Sequence, residues 1–390
     1  MLSALKVLDI THYVAGPYCT KLLADFGAEV IKVEKPGDGD GARAIGPFLH
    51  EKPHPDKSAL FLYLNTNKTG ITLHLKNPAG VKIFKELVRE ADIIVENFEP
   101  SVMPSLGLSY ETLREINPRL TMISISNFGQ DGPYRDYKAY GDIASAVGGA
   151  TYITGNQGQP LRLPGYLPEY MAGMQGFLSC LMAIYGNGGQ HIDLSIAECI
   201  ASNLEAATVL YAYTGIVRRR TFTRFMVGHP VGIYPCKDGH IVVIPGLGNM
   251  PLLALLVEKP ELADHPLFLN PYARQEHPEE FNALIVPWLM EHERQDIFAR
   301  AQELKMPFGT VCTIDEVVAD PHLAERVYFA ETEHPAAGKL VYPGLPFRPD
   351  MDEIEIKRAP LLGEHNDEIY GKRLGYTQEQ LGKLQKKGVI

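Results

Sequence analysis

Cysteine is scarce, with five in 390 residues, and Cys19, Cys180, Cys199, Cys236 and Cys312 fall without CxxC or metal-ligand spacing. A disulfide framework is therefore not expected; the thiols read as buried or idle groups in a reducing cytosol, and no metal is assigned. No run approaches the roughly 18 uninterrupted apolar residues of a membrane-spanning helix. The opening Met1–Lys6 lacks a long apolar core and runs at once into strand-like Val7-Leu8-Asp9-Ile10, so no secretory signal is expected and cytoplasm is the default. Positive charge is in deficit too. A formal net charge of −10 and a pI near 5.7 argue against nucleic acid or an anionic membrane as the main partner, so an anionic ligand needs a local basic pocket. There is no internal repeat or low-complexity tract. The dinucleotide fingerprint GxGxxG is missing as well. Gly37-Asp38-Gly39-Asp40-Gly41 has the wrong spacing and two carboxylates that would repel a pyrophosphate, and Gly246-Leu247-Gly248-Asn249-Met250 lacks the third glycine. No Walker A or GxSxG sequence occurs.

What is present is ordinary globular composition, 45% hydrophobic and 22% charged, in a chain long enough for two or three packed domains. Lys6–Ile10 reads as a strand, Pro17–Phe26 as a helix ended by Gly27, and Glu29–Val33 as the next strand. A second cycle has Asn77 as N-cap, Pro78 at the first helical position, a helix to Ala91 and a buried-type strand over Asp92–Val95. In a third, Ser109 caps a short helix, Asn117-Pro118 stops it and Leu120–Ser126 is a strand. This alternation predicts an α/β fold, a Rossmann-like doubly wound parallel sheet. Further on, Glu169–Tyr185 reads as a helix, Gln190–Leu194 as a strand and Ser195–Tyr213 as one long helix. The predicted organisation is a large α/β domain over residues 1–213, a basic linker over 214–228 and a smaller α+β domain over 229–325. A second linker over 326–349 precedes a C-terminal segment, 350–390, that returns to the large domain. Within the small domain Tyr234–Pro245 reads as a hairpin turned at Lys237-Asp238-Gly239, and the chain ends in a helix from Asn366 to about Lys387.

Several long segments, in order, resemble one family. They are Val7-Leu8-Asp9-Ile10-Thr11-His12-Tyr13-Val14-Ala15-Gly16-Pro17, Leu23 through Glu34, Gly39-Asp40 with Arg43, and Asn67-Lys68 with Leu73 and Lys76. Val95-Glu96-Asn97-Phe98, Ile116-Asn117-Pro118-Arg119 and Arg358 through Asn366 follow. They are similar to the class III CoA-transferases, a superfamily that holds formyl-CoA transferase, carnitine CoA-transferase and the α-methylacyl-CoA racemases. Resemblance is weakest over Thr221–Pro230 and Pro251–Arg300. It implies coenzyme A as co-substrate in the form of acyl-CoA, a carboxylic acid as second substrate, and a homodimer of interlocked chains. Carried over by position, Lys35 and Lys76 would lie near the adenine and phosphorylated ribose, Leu73 and Val102 would pack there, and Asn97-Phe98 would meet the pyrophosphate. Tyr13, Val14, Lys138 and Tyr140 also match CoA-contacting positions. Ser105 stands where relatives often carry a pyrophosphate-binding arginine.

The family's nucleophile is an aspartate at the start of a helix after a glycine-containing loop. The matching segment here is Gly165-Tyr166-Leu167-Pro168-Glu169-Tyr170-Met171-Ala172-Gly173, so the resemblance implies Glu169 as catalytic residue. A glutamate can attack a thioester and form an acyl anhydride and then a glutamyl-CoA thioester, but it is one methylene longer. Two alternatives stay open: a racemase, and a noncatalytic CoA-binding paralogue. Racemases place a histidine before an aspartate, where this chain has Tyr140-Gly141-Asp142, so two-base chemistry is disfavoured.

Overall fold

The structure is a computed structural model that describes residues 1–155, 158–186, 188–220, 228–246, 248–347 and 355–390. Residues 221–227 and 348–349 of the two expected linkers, 350–354 of the expected C-terminal segment, and Leu247 lie outside the described residues. The chain divides into two compact units. One comprises Met1–Thr151, Arg162–Val217 and Glu325–Ile390, the other Tyr152–Leu161 and Arg218–Ala324.

The first unit is built on six parallel strands: β1 (Lys6–Asp9), β2 (Glu29–Glu34), β3 (Thr69–Thr72), β4 (Ile93–Glu96), β5 (Thr121–Ser126) and β6 (His191–Ser195). Their order is β3-β2-β1-β4-β5-β6, the order of a doubly wound nucleotide-binding sheet. Strand side chains alternate between faces, so neighbouring apolar residues serve opposite cores. Leu8, Ile31 and Ile94 enter one cluster with Phe84 and Met122, while Val7, Val30 and Ile93 enter another with Leu23 and Ile125. Both faces are thus covered, which is why strands such as Ile93-Ile94-Val95 read as continuous apolar runs.

Seven helices matter for the site and its support: α1 (Ala15–Asp25), α2 (Pro78–Val88), α3 (Tyr110–Ile116), α4 (Gly141–Val147), α5 (Leu167–Tyr185), α6 (Ile196–Ser202) and α7 (Glu205–Thr214). The caps follow sequence chemistry. Asn77 Oδ1 accepts from Ala79 N at 2.9 Å ahead of Pro78, and Ser109 Oγ accepts from Thr112 N at 3.4 Å. The predicted single helix over Ser195–Tyr213 is instead α6 and α7. At the break Ser202 Oγ and Asn203 Nδ2 both donate to Cys199 O, at 2.9 and 2.7 Å, side chains competing with the backbone for its acceptor. The predicted last helix is also divided, into a π-helical stretch Asp367–Arg373 and a helix Gln378–Lys386, with Gly375 at φ +76° and a Thr377 capping box between them.

The C-terminal residues complete this unit. Tyr370 and Val389 are buried in the first core, Tyr370 Oη donates to Thr72 O at 2.7 Å, and His74 N donates to Val389 O at 2.8 Å. An antiparallel hairpin over Phe329–His334 and Gly338–Pro343, absent from the sequence reading, lies within the stretch taken as a linker. The second unit has three antiparallel strands, Gly232–Cys236, Gly239–Val243 and Gly309–Thr310. Helices Pro278–Glu291 and Arg294–Glu303 supply Phe281, Ile285, Leu289 and Ile297 to its own core, an α+β arrangement.

Candidate active site

In an open parallel sheet the ligand crevice forms where neighbouring strands lead to opposite faces, beyond their carboxyl ends. Here that point is between β1 and β4. The loop after β1, Thr11–Val14, and the loop after β4, Asn97–Ser101, meet there. Asn97 ties them together: its Oδ1 accepts from His12 N at 2.8 Å and its Nδ2 donates to His12 O at 2.7 Å. Phe98 packs on the His12 ring with centroids 5.5 Å apart.

Buried charges support the first loop from below. Lys32, fully buried, donates to Thr11 O at 2.6 Å and to Asp40 Oδ2 at 2.7 Å, and Asp40 Oδ1 accepts from Tyr13 N at 2.9 Å. Lys68 donates to Asp9 Oδ2, Pro17 O and Asn65 Oδ1, each at 2.9 Å. Burial alone would raise the Asp9 and Asp40 carboxyls, but the adjacent ammonium groups prevail and hold both well below the usual carboxylate range. Tyr13 sits at φ +67°, a left-handed conformation that costs about 1–3 kcal/mol for a residue with a side chain and is held by these hydrogen bonds.

A cavity of about 700 Å³ opens at this crevice. Tyr13, Val14, Asn97, Phe98, Tyr140 and Glu169 all line it. Glu169 stands in the first turn of α5 after Pro168, half-buried, where the helix dipole favours a carboxylate. Burial nonetheless dominates and raises its carboxyl above the ordinary value; its own N–H and the Gly141 N–H oppose the shift, Asp142 adds to it and Arg162 offsets it. The Gly141 contact is close. A Cβ at that position would lie 2.3 Å from Glu169 Oε1 and 2.4 Å from Oε2, so the carboxylate occupies space that any side chain at residue 141 would need.

The other positions implied by the resemblance lie elsewhere. Lys138 is exposed beside the cavity wall and pairs with Glu99, which lines it. Lys35 is exposed and pairs with Asp38, and Lys76 is exposed. Leu73 is buried in the first core, and Val102 is half-buried. None of these five lines the cavity. Sequence reasoning did not single out Arg135, Arg162 and Tyr137, which line it. A signal was available: arginines in the Pro- and Gly-bounded loops Gly132–Tyr137 and Pro160–Gly165 are candidates to face an anion.

His50-Glu51-Lys52-Pro53-His54 carries the letters of the zinc motif HExxH. That motif works only on a helix, where both histidines share a face. Here His50 and Glu51 are at φ +55° and +56° in a short turn, and His54 Nδ1 accepts from Asp56 N at 3.1 Å. Among the described residues no group of three or more His, Cys, Asp or Glu could hold an ion.

Comparison with known proteins agrees with this geometry. The model of CoA-transferase family III matches residues 2–366. Succinyl-CoA–D-citramalate CoA-transferase from Chloroflexus aurantiacus is 35% identical, with 100% of this chain and 98% of that protein covered. Formyl-CoA:oxalate CoA-transferase from Rhodopseudomonas palustris strain BisA53 is 31% identical over 100% of this chain and 97% of that protein. Among solved structures, a CAIB/BAIF family protein from Brucella suis superposes with a TM-score of 0.85 at 27% identity, covering 95% of this chain and 98% of its own. Sheet order, cavity position and matches along the whole length converge: this chain belongs to CoA-transferase family III and is a CoA-transferase.

Proposed function

We propose that the chain moves CoA from an acyl-CoA to a small carboxylic acid through Glu169. The observation that carries this reading is the half-buried Glu169 carboxylate opening on the same cavity as the Asn97-Phe98 loop. The ionised carboxylate attacks the thioester carbonyl, giving an acyl–glutamyl anhydride and CoA thiolate. The thiolate attacks the glutamyl carbonyl and releases the donor acid, leaving a glutamyl-CoA thioester. The acceptor carboxylate then attacks that thioester, and the expelled thiolate takes the acceptor's acyl group, so Glu169 is regenerated. The Gly141 N–H favours the charge of the attacking carboxylate, and exclusion of water protects the anhydride. Tyr13, Val14, Phe98 and Tyr140 would contact CoA, with Asn97 fixing the loop; Lys138 would reach its phosphates, and Lys35, Lys76 and Val102 its adenine end, which Leu73, buried in the first core, would only support from below. Arg135 and Arg162 suit the acid's carboxylate. Racemisation lacks support, because Gly141 provides no imidazole.

The names of the relatives suggest succinyl-CoA as donor with citramalate or malate as acceptor, or formyl-CoA as donor with oxalate as acceptor. Chromatography of such mixtures should show a new acyl-CoA only when donor and acceptor are both present. Hydrolysis alone, or binding without exchange, would overturn the reading. We further propose a cytoplasmic, interlocked homodimer. Its support is a first unit assembled from three separate stretches of chain, together with outward apolar residues such as Met182, Tyr185 and Tyr213, at 74%, 94% and 88% exposure. Light scattering at micromolar concentration should give twice the chain mass; a monomer would contradict it.

A further inference from the structure

Directly beneath the cavity loop after β4 is a carboxyl that the reaction does not use. Glu96, the last residue of β4, is buried, and its Oε2 accepts from Phe98 N at 2.8 Å, a bond that sets the direction of the Asn97-Phe98 turn. Its surroundings are poor in compensating charge. The Ser124 hydroxyl on β5 lies beside it and is itself bonded to His191 Nε2 on β6 at 2.8 Å. Asp193, also on β6, is the charged group that bears on it, with the same sign. On the β1 side, Asp9 is engaged by Lys68 and Thr20. Burial pushes the His191 imidazole below its ordinary value, against the pull of Asp193 and Glu111, and among the described residues no cation pairs with Glu96. Burial, reinforced by Asp193, pushes the Glu96 carboxyl up to about 7.

We propose that Glu96 is a positioning residue whose proton is coupled to the bound anion: its carboxyl holds the Phe98 N–H that shapes the loop, and it takes up a proton when a pyrophosphate diester arrives there. The inference rests on the reading of this cavity as the CoA site. An incoming anion disfavours a second negative charge beneath the loop, and a carboxyl without a cation partner can answer only by protonation. A neutral Glu96 still accepts from Phe98 N, so the loop keeps its shape while the repulsion is removed.

Dephospho-CoA is the suitable probe, because it keeps the pyrophosphate and lacks the 3′-phosphate that would itself titrate near neutrality. Calorimetry near pH 7.5 in buffers of different ionisation enthalpy should show the wild type taking up about half a proton on binding, for a rise of about one unit in the Glu96 pKa. Affinity should fall by up to about tenfold from pH 6 to pH 9. Glu96→Gln retains an acceptor for Phe98 N and cannot ionise; it should bind with no such uptake and lose that part of the pH dependence. Glu96→Ala should raise KM for acyl-CoA more than it lowers kcat. Equal proton uptake in wild type and Glu96→Gln would overturn the inference alone. Failure of the wild type to bind dephospho-CoA at any pH would remove the CoA site, and the inference with it.

Discussion

Gly141→Ala tests the fit between Glu169, the proposed nucleophile, and its cradle. The added Cβ would lie 2.3 Å from Glu169 Oε1, whereas ordinary contact begins at 3.4 Å, so the carboxylate must retreat by about 1 Å. A misplacement of about that size costs on the order of 10²-fold in a reaction that depends on near-attack geometry. The fold should not suffer. Gly141 is the first residue of α4, and alanine is the better helix former, so thermal unfolding should be unchanged or slightly higher. Shortening the nucleophile by one carbon–carbon bond, about 1.5 Å, makes room for the methyl group. Glu169→Asp alone should therefore retain partial activity, and adding Gly141→Ala to it should cost little. Initial rates of CoA exchange for the wild type, the two single variants and the double variant should give a coupling of about 2 kcal/mol. Equal fold losses from Gly141→Ala in the wild-type and Glu169→Asp backgrounds, or full activity in Gly141→Ala, would refute the reasoning.

Because attack needs the ionised carboxylate and burial raises the Glu169 pKa, kcat/KM should fall as pH drops, with a midpoint above the ordinary glutamate value of about 4.3; a midpoint below that value would contradict the assignment. Lys138→Ala and Lys76→Ala should each weaken CoA binding by about tenfold, and by less for dephospho-CoA if the lysine meets the 3′-phosphate; unchanged calorimetric affinity in both would remove these contacts. Lys32→Met leaves Asp40 and Asp9 buried without their shared cation and should destabilise the protein by about 3–5 kcal/mol, read from urea unfolding. Both carboxyls are depressed in the folded state, so their stabilisation is complete above about pH 4 and is lost as pH falls below it toward the folded values. An unchanged urea midpoint would show that the network contributes nothing.

Much of the large unit was legible locally, because a strand buried on both faces announces itself as an apolar run and a helix start as Asn77-Pro78 or Ser109. Elements stabilised from afar were not. β3 is only Thr69–Thr72, and Gly70 is there because Pro360, far along the chain, packs where a Cβ would be, 2.7 Å from the Pro360 Cγ. The hairpin over Phe329–His334 and Gly338–Pro343 exposes Glu331 and Glu333 on its first strand, and the short run Leu340-Val341-Tyr342 on its second is itself only partly buried. The place of Glu169 in the first turn of a helix was legible from its segment, whereas nothing local marks Lys32 and Lys68 as the buried partners of Asp40 and Asp9. The role of Gly141 depends on the starts of α4 and α5 meeting, which no local pattern encodes.

The central claim is that Glu169 becomes covalently acylated, and hydroxylamine trapping tests it most directly. Wild-type protein incubated with succinyl-CoA and then hydroxylamine should carry a hydroxamate, located by mass spectrometry on the peptide holding Glu169. Glu169→Ala and Glu169→Gln should bind CoA, yield no adduct and lose exchange. Normal exchange by wild type with no adduct on that peptide, together with full activity in Glu169→Ala, would contradict the account.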